Sequence, residues 1–428
     1  MLCILVCFTL LRSALAARPM PGEWVPSANS AQVHPTDPPQ NAEEKARPER
    51  VASGVLLQKS AARTLLDTNL NLDLEPGLKE LLPRWDWSLT IQAAGGFDDN
   101  VALSCCDPEA SPFVRATVEA VGLRLPVDGN QVTILFTGED TRFFSSETVD
   151  HEDLVIAQGE FRRFWANDWE TAFGLEGVYL DQVVDLSITE TNRAPLPVRG
   201  ATFTARPAVK RNLSEAIWLS LEVPLSREYY NSNESLDDYW QVGPKVMLAR
   251  NYGNGSEIGV GYEYTHRRYD TEPALAVHSD GLVVTPIPGL TRASDQHEVG
   301  LVWRHQWDAA RRWRSTTRVS FRRNTDNGGG YYDYDRWQVG HQIRFRTKVW
   351  EASAEARVGF YDFPVQTVDP NSPIRRERTD LFVTLRLERK LGKHVRLFAQ
   401  YEREATDSNR AGDEYAANTV LSGVGWEF

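Results

Sequence analysis

From Trp85 to its last residue the chain alternates apolar and polar residues in one run after another, and most runs are about 10–14 residues long. Trp87, Leu89 and Ile91 interleave with Ser88, Thr90 and Gln92. Ile217, Leu219, Leu221, Val223 and Leu225 keep the same period, as do Trp350, Ala352, Ala354, Ala356, Val358 and Phe360. A period of two belongs to a strand with one apolar and one polar face. Strands of soluble proteins average about 5–6 residues, whereas a tilted strand needs about 9–11 to cross a bilayer. The length of these runs predicts the wall of a membrane barrel.

The links between runs sort by length. Short ones are Val127-Asp128-Gly129-Asn130, Ala166-Asn167-Asp168, Asn212-Leu213-Ser214, Asn251 to Gly255, Asp308 to Arg311, Thr347-Lys348 and Gly392-Lys393. Long ones run near 97–111, 143–153, 182–197, 230–238, 270–295, 324–331, 362–379 and 405–414, alternating with the short ones throughout. Short turns at one rim and long loops at the other are the habit of bacterial outer-membrane barrels. Eight long and seven short links predict about sixteen strands with both ends on the periplasmic side. The expected fold class is all-β: a transmembrane antiparallel up-and-down β-barrel over 85–428 with a short, partly helical or disordered N-terminal arm.

Composition agrees with a barrel and removes other classes. A mean hydropathy of −0.42 and the lack of a second long apolar run exclude a helical membrane protein. With 47 basic against 59 acidic residues, the net charge of −12 argues against nucleic acid as a partner. Thirteen Trp suit a chain with two membrane interfaces.

Ahead of the barrel, Leu2 to Leu11 and Ala14-Leu15-Ala16 read as a signal peptide over 1–16. The Pro-rich stretch 17–53 reads as a disordered linker, and 54–84 as a short helical segment that plugs the mouth or lies in the periplasm. Pro207, Pro224 and Pro244 fall inside consecutive strands. Proline cannot donate to a ladder, so bulges, displaced strand ends or a soft wall are expected near 200–250.

Two stretches carry a resemblance. Gly423, Trp426 and Phe428 resemble the C-terminal assembly signal of bacterial outer-membrane β-barrels, although Leu421 stands where a polar residue is usual. Gly95-Gly96-Phe97-Asp98-Asp99-Asn100-Val101 resembles the opening hairpin of outer-membrane β-barrel porin families. The resemblance covers both ends of the barrel and implies a Gram-negative outer-membrane location. It implies lipid and the barrel-assembly machinery as partners, and passive transport or export as function.

The inward positions point to one further feature. Arg314, Arg318, Arg322, Arg336, Arg344 and Arg346 stand on two neighbouring strands, with Glu351 and Glu355 on the next. One reading is a basic wall along a water-filled lumen that attracts anions. The other is a set of Arg–Glu ladders that stiffen the barrel. Asp98, Asp99 and Asn100 suit either calcium ligation or an Asx turn, and the turn is the expectation. His151 among Asp150, Glu152 and Asp153 reads as part of a solvated loop. His266, His297, His305 and His341 come from separate strands without metal spacing. Cys105 and Cys106 leave three readings: a vicinal ring, a soft-metal pair or free thiols. No catalytic residue, metal site or cofactor is expected.

The expected function is a porin-like channel for small hydrophilic solutes or an exported polymer such as a polysaccharide. The alternatives are a filled barrel that binds through loops 270–295 and 362–379, and an outer-membrane hydrolase, which needs a nucleophile beside an oriented His at the rim.

Overall fold

The computed structural model describes residues 85–428 except 127, 186–195, 232–235, 254, 278–283 and 370–371. The expected signal peptide, linker and helical segment lie outside the described residues. The strands, in chain order, are β1 Trp85–Asp98, β2 Ser111–Arg124, β3 Asn130–Phe143, β4 His151–Phe164, β5 Trp169–Val184, β6 Leu196–Asn212, β7 Ile217–Glu222, β8 Leu225–Tyr230, β9 Tyr239–Val242, β10 Lys245–Tyr252, β11 Ser256–Val277, β12 Val284–Gln306, β13 Trp313–Asp326, β14 Tyr334–Arg346, β15 Trp350–Thr367, β16 Arg375–Lys390, β17 Val395–Ser408 and β18 Tyr415–Glu427. β7 continues into β8, and β9 into β10, because each pair flanks the same neighbours. The eighteen segments therefore make sixteen staves.

Every pairing is antiparallel, and β1 pairs with both β2 and β18, so the sheet closes on itself. Closure leaves no strand edge, so each strand of the wall is laddered on both sides. Outward residues follow the predicted alternation: Trp87, Phe203, Leu248, Val299 and Leu385 are all exposed. On β15 the outward apolar run from Trp350 to Phe360 rises about 25 Å for a strand tilted as barrel strands are. Trp85, Trp165, Trp169, Trp307, Trp313 and Phe428 ring the lower rim, and Phe97, Tyr179, Tyr229, Trp240 and Trp337 the upper part. Such rings belong at the two interfaces of a membrane.

The short turns fall where expected. In the β4–β5 turn, Asn167 and Asp168 both take positive φ, 63° and 62°, the pair of conformations a tight hairpin requires. The outer connections are shorter than expected because the strands run on beyond the membrane. β11 and β12 extend so far that the predicted 270–295 loop is mostly a hairpin, with 278–283 between its strands. The predicted loop 362–379 shrinks to 368–374 for the same reason.

The proline region decides between the expected alternatives. The wall near 200–250 carries no bulge. Pairings of β6 with β7 and β8 share one register, as do those of β11 with β9 and β10. The strands are interrupted at Val223-Pro224 and at Gly243-Pro244 instead.

Candidate functional site

The bore is lined by the inward halves of the sixteen staves, and its charge is divided. On β13 the inward set includes Arg314, Arg318 and Arg322; on β14 it includes Arg336, Arg344 and Arg346. Arg314 stands opposite Arg344, and Arg322 opposite Arg336. Arg304 on β12 and Arg357 on β15 extend the row. Glutamates answer part of it. Arg322 lies 2.5 Å and Arg336 3.5 Å from Glu298. Arg344 and Arg346 share Glu351, and Arg304 lies 2.8 Å from Glu257. Arg322, Arg336, Arg344 and Arg346 are thus laddered to Glu298 and Glu351, and the arginines of β12–β15 outnumber the inward Glu298, Glu351 and Glu355.

Small residues open this side of the bore. Gly261, Gly300, Ser320 and Gly359 lie inward at one level of β11–β15, and Gly340 sits between Arg318 and Arg357.

The opposite wall is acidic, which the sequence reading missed. Asp98, Glu139 and Glu152 on β1, β3 and β4, with Glu402 on β17, surround Arg115 on β2, whose Nε lies 3.4 Å from Glu139. In ring order β1–β4 face β11–β14. An arginine wall facing a carboxylate wall sets a transverse field across the bore.

An ion pair also joins distant staves. Asp185, the residue after β5, lies 2.7 Å from Arg378 on β16, and both side chains are almost fully buried. β5 and β16 occupy opposite parts of the ring. Arg378 also meets Asp380 at 2.6 Å and donates to Thr406 at 3.1 Å. Just before Asp185, Val184 packs into an inward cluster with Leu154, Ile156, Leu180, Val198 and, from the β8–β9 connection, Leu236. The pair therefore ties the end of β5 to a stave on the far side of the ring. A buried charge needs a partner, and no local pattern in the sequence pairs residue 185 with residue 378.

The remaining candidates find their places. Asp98 Oδ1 accepts the Asn100 N–H at 2.8 Å, the expected Asx turn. Asp98 and Asp99 then bond β18: Thr419 Oγ1 donates to Asp98 at 2.6 Å, and Asn418 N–H to Asp99 at 2.6 Å. Asn100 Nδ2 donates to the Ser104 and Ala416 carbonyls. The opening motif thus closes the barrel. Gly423 belongs to the same seam, since a Cβ there would lie 2.3 Å from the Ala93 carbonyl. Trp426 is exposed in the lower ring, and Phe428 exchanges two backbone bonds with Leu89.

Cys105 and Cys106 form a vicinal disulfide in the β1–β2 connection. His151 faces outward at the upper rim; its Nδ1 lies 2.6 Å from Asp150 and its Nε2 3.5 Å from Asp181, which Arg199 holds at 2.6 Å. Glu152, grouped with it in the sequence, points the other way. The four scattered histidines all lie on outward faces of β11–β14, with hydroxyl or carboxylate neighbours: His266 with Asp295, His297 with Tyr262, His305 with Tyr252 and His341 with Thr317.

No family model and no curated protein matches the chain. Among solved structures it is similar to OccAB1 of Acinetobacter baumannii, with a TM-score of 0.45 and 8% identity over 80% of this chain and 97% of that one. It is similar to the outer membrane protein OpdK of Pseudomonas aeruginosa, with a TM-score of 0.42 and 11% identity over 80% of this chain and 99% of that one. It is also similar to the anion-selective porin from Comamonas acidovorans, with a TM-score of 0.39 and 10% identity over 80% of this chain and 99% of that one.

Proposed function

We propose that the chain is an outer-membrane channel that lets small hydrophilic solutes diffuse through a bore with one basic and one acidic wall. The single observation that carries this reading is the inward face of β11–β15. There, glycines, a serine and polar residues stand among the arginines, a small and polar lining that suits a water-filled bore. Selection is electrostatic: an anion travels along β12–β15, and a dipolar solute aligns in the field between the walls. No chemical step is involved, and no cofactor is required.

A second reading has its own support. Outer connections pack tightly in places: Arg376 is fully buried, 2.8 Å from Asp413 and over the Phe363 ring. That packing suits a barrel that works through its outer surface.

Single-channel recording of the full chain, refolded in a planar bilayer, separates the two. The channel reading expects steady steps and a reversal potential in a salt gradient that reports anion preference. Folded, inserted protein that passes no current would discard it in favour of the surface reading. The same recording with residues 17–84 removed tests whether that segment blocks the bore.

A further inference from the structure

Arginine recurs at one place in the lower hairpins. Arg124 on β2, Arg163 on β4, Arg211 on β6, Arg250 on β10 and Arg389 on β16 each pair with the residue eight positions on: Val132, Thr171, Leu219, Ile258 and Leu397. Equal spacing places them at the same distance from each turn. Leu219, Ile258 and Leu397 are exposed on the outward face, and directly opposed residues share a face. The guanidiniums therefore lie outside the barrel, at the level of the lower Trp ring. On their other side Arg124 stands opposite Trp85, Arg211 opposite Trp169 and Arg389 opposite Trp350. The guanidiniums of Arg211 and Arg389 lie 5.1 Å and 5.2 Å from the centres of those last two indoles, and that of Arg163 lies 4.2 Å from Trp165.

The two rims treat outward arginines differently. At the upper rim Arg142 lies 2.7 Å from Asp140, Arg199 2.6 Å from Asp181 and Arg323 3.6 Å from Asp335. At the lower rim Asp128 holds Arg124 at 2.7 Å. Arg163, Arg211, Arg250 and Arg389 form no ion pair with a described carboxylate. Asp168 and Glu215 sit in the hairpin tips next to this rim and pair with none of them.

Three of these free cations form an arc. Arg163, Arg211 and Arg250 are exposed and stand on alternate staves, about 10 Å apart. Directly above them the wall is apolar: Phe161, Phe173, Leu221 and Leu248 are all exposed. A guanidinium stacked on an indole keeps its N–H edge free for a planar, bidentate acceptor. A water-soluble anion would match the arginines and leave the apolar wall uncovered. A molecule with an anionic head and acyl chains matches both.

We infer that Arg163, Arg211 and Arg250 form a headgroup site for an anionic phospholipid of the periplasmic leaflet. The phosphate lies on the guanidiniums, and the acyl chains lie along Phe161, Phe173, Leu221 and Leu248. Basic residues beside a bilayer surface attract anionic lipid. A zwitterionic lipid carries its own cation beside the phosphate, which the arginines repel, so the site selects a head of net negative charge. The inference rests on the membrane location and holds whether or not the bore conducts.

Native mass spectrometry tests this on the full chain, refolded in detergent with equal phosphatidylglycerol and phosphatidylcholine of the same acyl chains. The wild type is expected to retain phosphatidylglycerol about ten-fold over phosphatidylcholine. Arg163→Gln, Arg211→Gln and Arg250→Gln together are expected to abolish that preference. Arg142→Gln with Arg199→Gln, at the upper rim, is expected to leave it unchanged. Equal retention of the two lipids by the wild type would overturn the inference. So would a triple variant that keeps the preference, or an upper-rim pair that loses it as the triple does. Heat-modifiable migration on a gel confirms folding. If the triple variant does not fold, the three single variants decide: each is expected to lower the preference about two-fold, and no change in any of them overturns the site.

Discussion

Asp99 and Asn418 stand 319 positions apart in the chain and are joined by two side-chain hydrogen bonds. Asp99 Oδ1 accepts the Asn418 N–H at 2.6 Å, and Oδ2 accepts its Nδ2–H at 2.8 Å. One carboxylate at the end of the first strand thus holds the last strand, where closure has no covalent help. Hydrogen bonds to a charged group contribute about 1.5–3 kcal/mol each. Asp99→Ala is expected to destabilise the barrel by about 2 kcal/mol. The check is the urea midpoint of heat-modifiable migration on a gel; an unchanged midpoint would remove Asp99 from closure.

Glycines at the seam differ in what a methyl group would strike. At Gly423 a Cβ would meet the Ala93 carbonyl and the Ala94 Cα, both backbone. At Gly425 it would meet only the Arg396 side chain, at 3.0 Å. Gly423→Ala is expected to lower the yield of folded barrel sharply, while Gly425→Ala assembles nearly as the wild type does. Equal yields would show that the seam tolerates a wider spacing.

The arginines of β13 set the sign of selectivity in the channel reading. Replacing Arg314, Arg318 and Arg322 together with Ser is expected to lower the anion-to-cation permeability ratio several-fold. Glu351→Gln releases Arg344 and Arg346 from their shared carboxylate and is expected to raise it. Reversal potentials in a salt gradient measure both. A shift of the same sign in both variants would contradict a basic wall.

Asp185 at the end of β5 pairs with Arg378 on β16 across the ring. Removing one member of a buried ion pair costs about 3–5 kcal/mol; Asp380 and Thr406 stay with Arg378, which favours the lower end. Asp185→Ala is expected to break this tie across the ring and raise conductance. Unchanged conductance, with the fold confirmed by gel migration, would mean that the tie does not limit flow.

Glu109 provides a pH test outside the membrane. It ties the β1–β2 connection to the β3–β4 connection by accepting bonds from the Ser146 and Thr148 hydroxyls and from the Glu147 and Thr148 N–H groups, at 3.1 Å and 3.2 Å for the latter two. Burial pushes its pKa up, but these four donors outweigh it and hold the carboxyl below the usual range. A depressed carboxylate stabilises the folded form above its unfolded pKa, and the contribution is lost as pH falls through the folded value. Protease cleavage within 99–110 is expected to be slow at neutral pH and to rise in acid below the ordinary glutamate range. Glu109→Gln is expected to cleave at the acid rate at all pH values, and a wild type with no acid rise would contradict the latch.

The sequence by itself determined the period, the number of staves and the order of short and long links. Each of these follows from which face of a local segment is apolar and where the turns lie. It also marked the seam, because close approach at closure demands glycine at 423, and it placed six arginines on one face of β13 and β14. Only the tertiary structure decided what those residues meet. Glu298 and Glu351 answer four of the arginines because strand register brings them level. Asp185 finds Arg378 because barrel closure sets the end of β5 across the ring from β16, which no periodicity records. The prolines read one at a time as local faults; the shared register of β6–β11 shows the wall passing them without a bulge. Side-chain direction is a local property of a strand, whereas partnership across a closed ring depends on every register between the two residues.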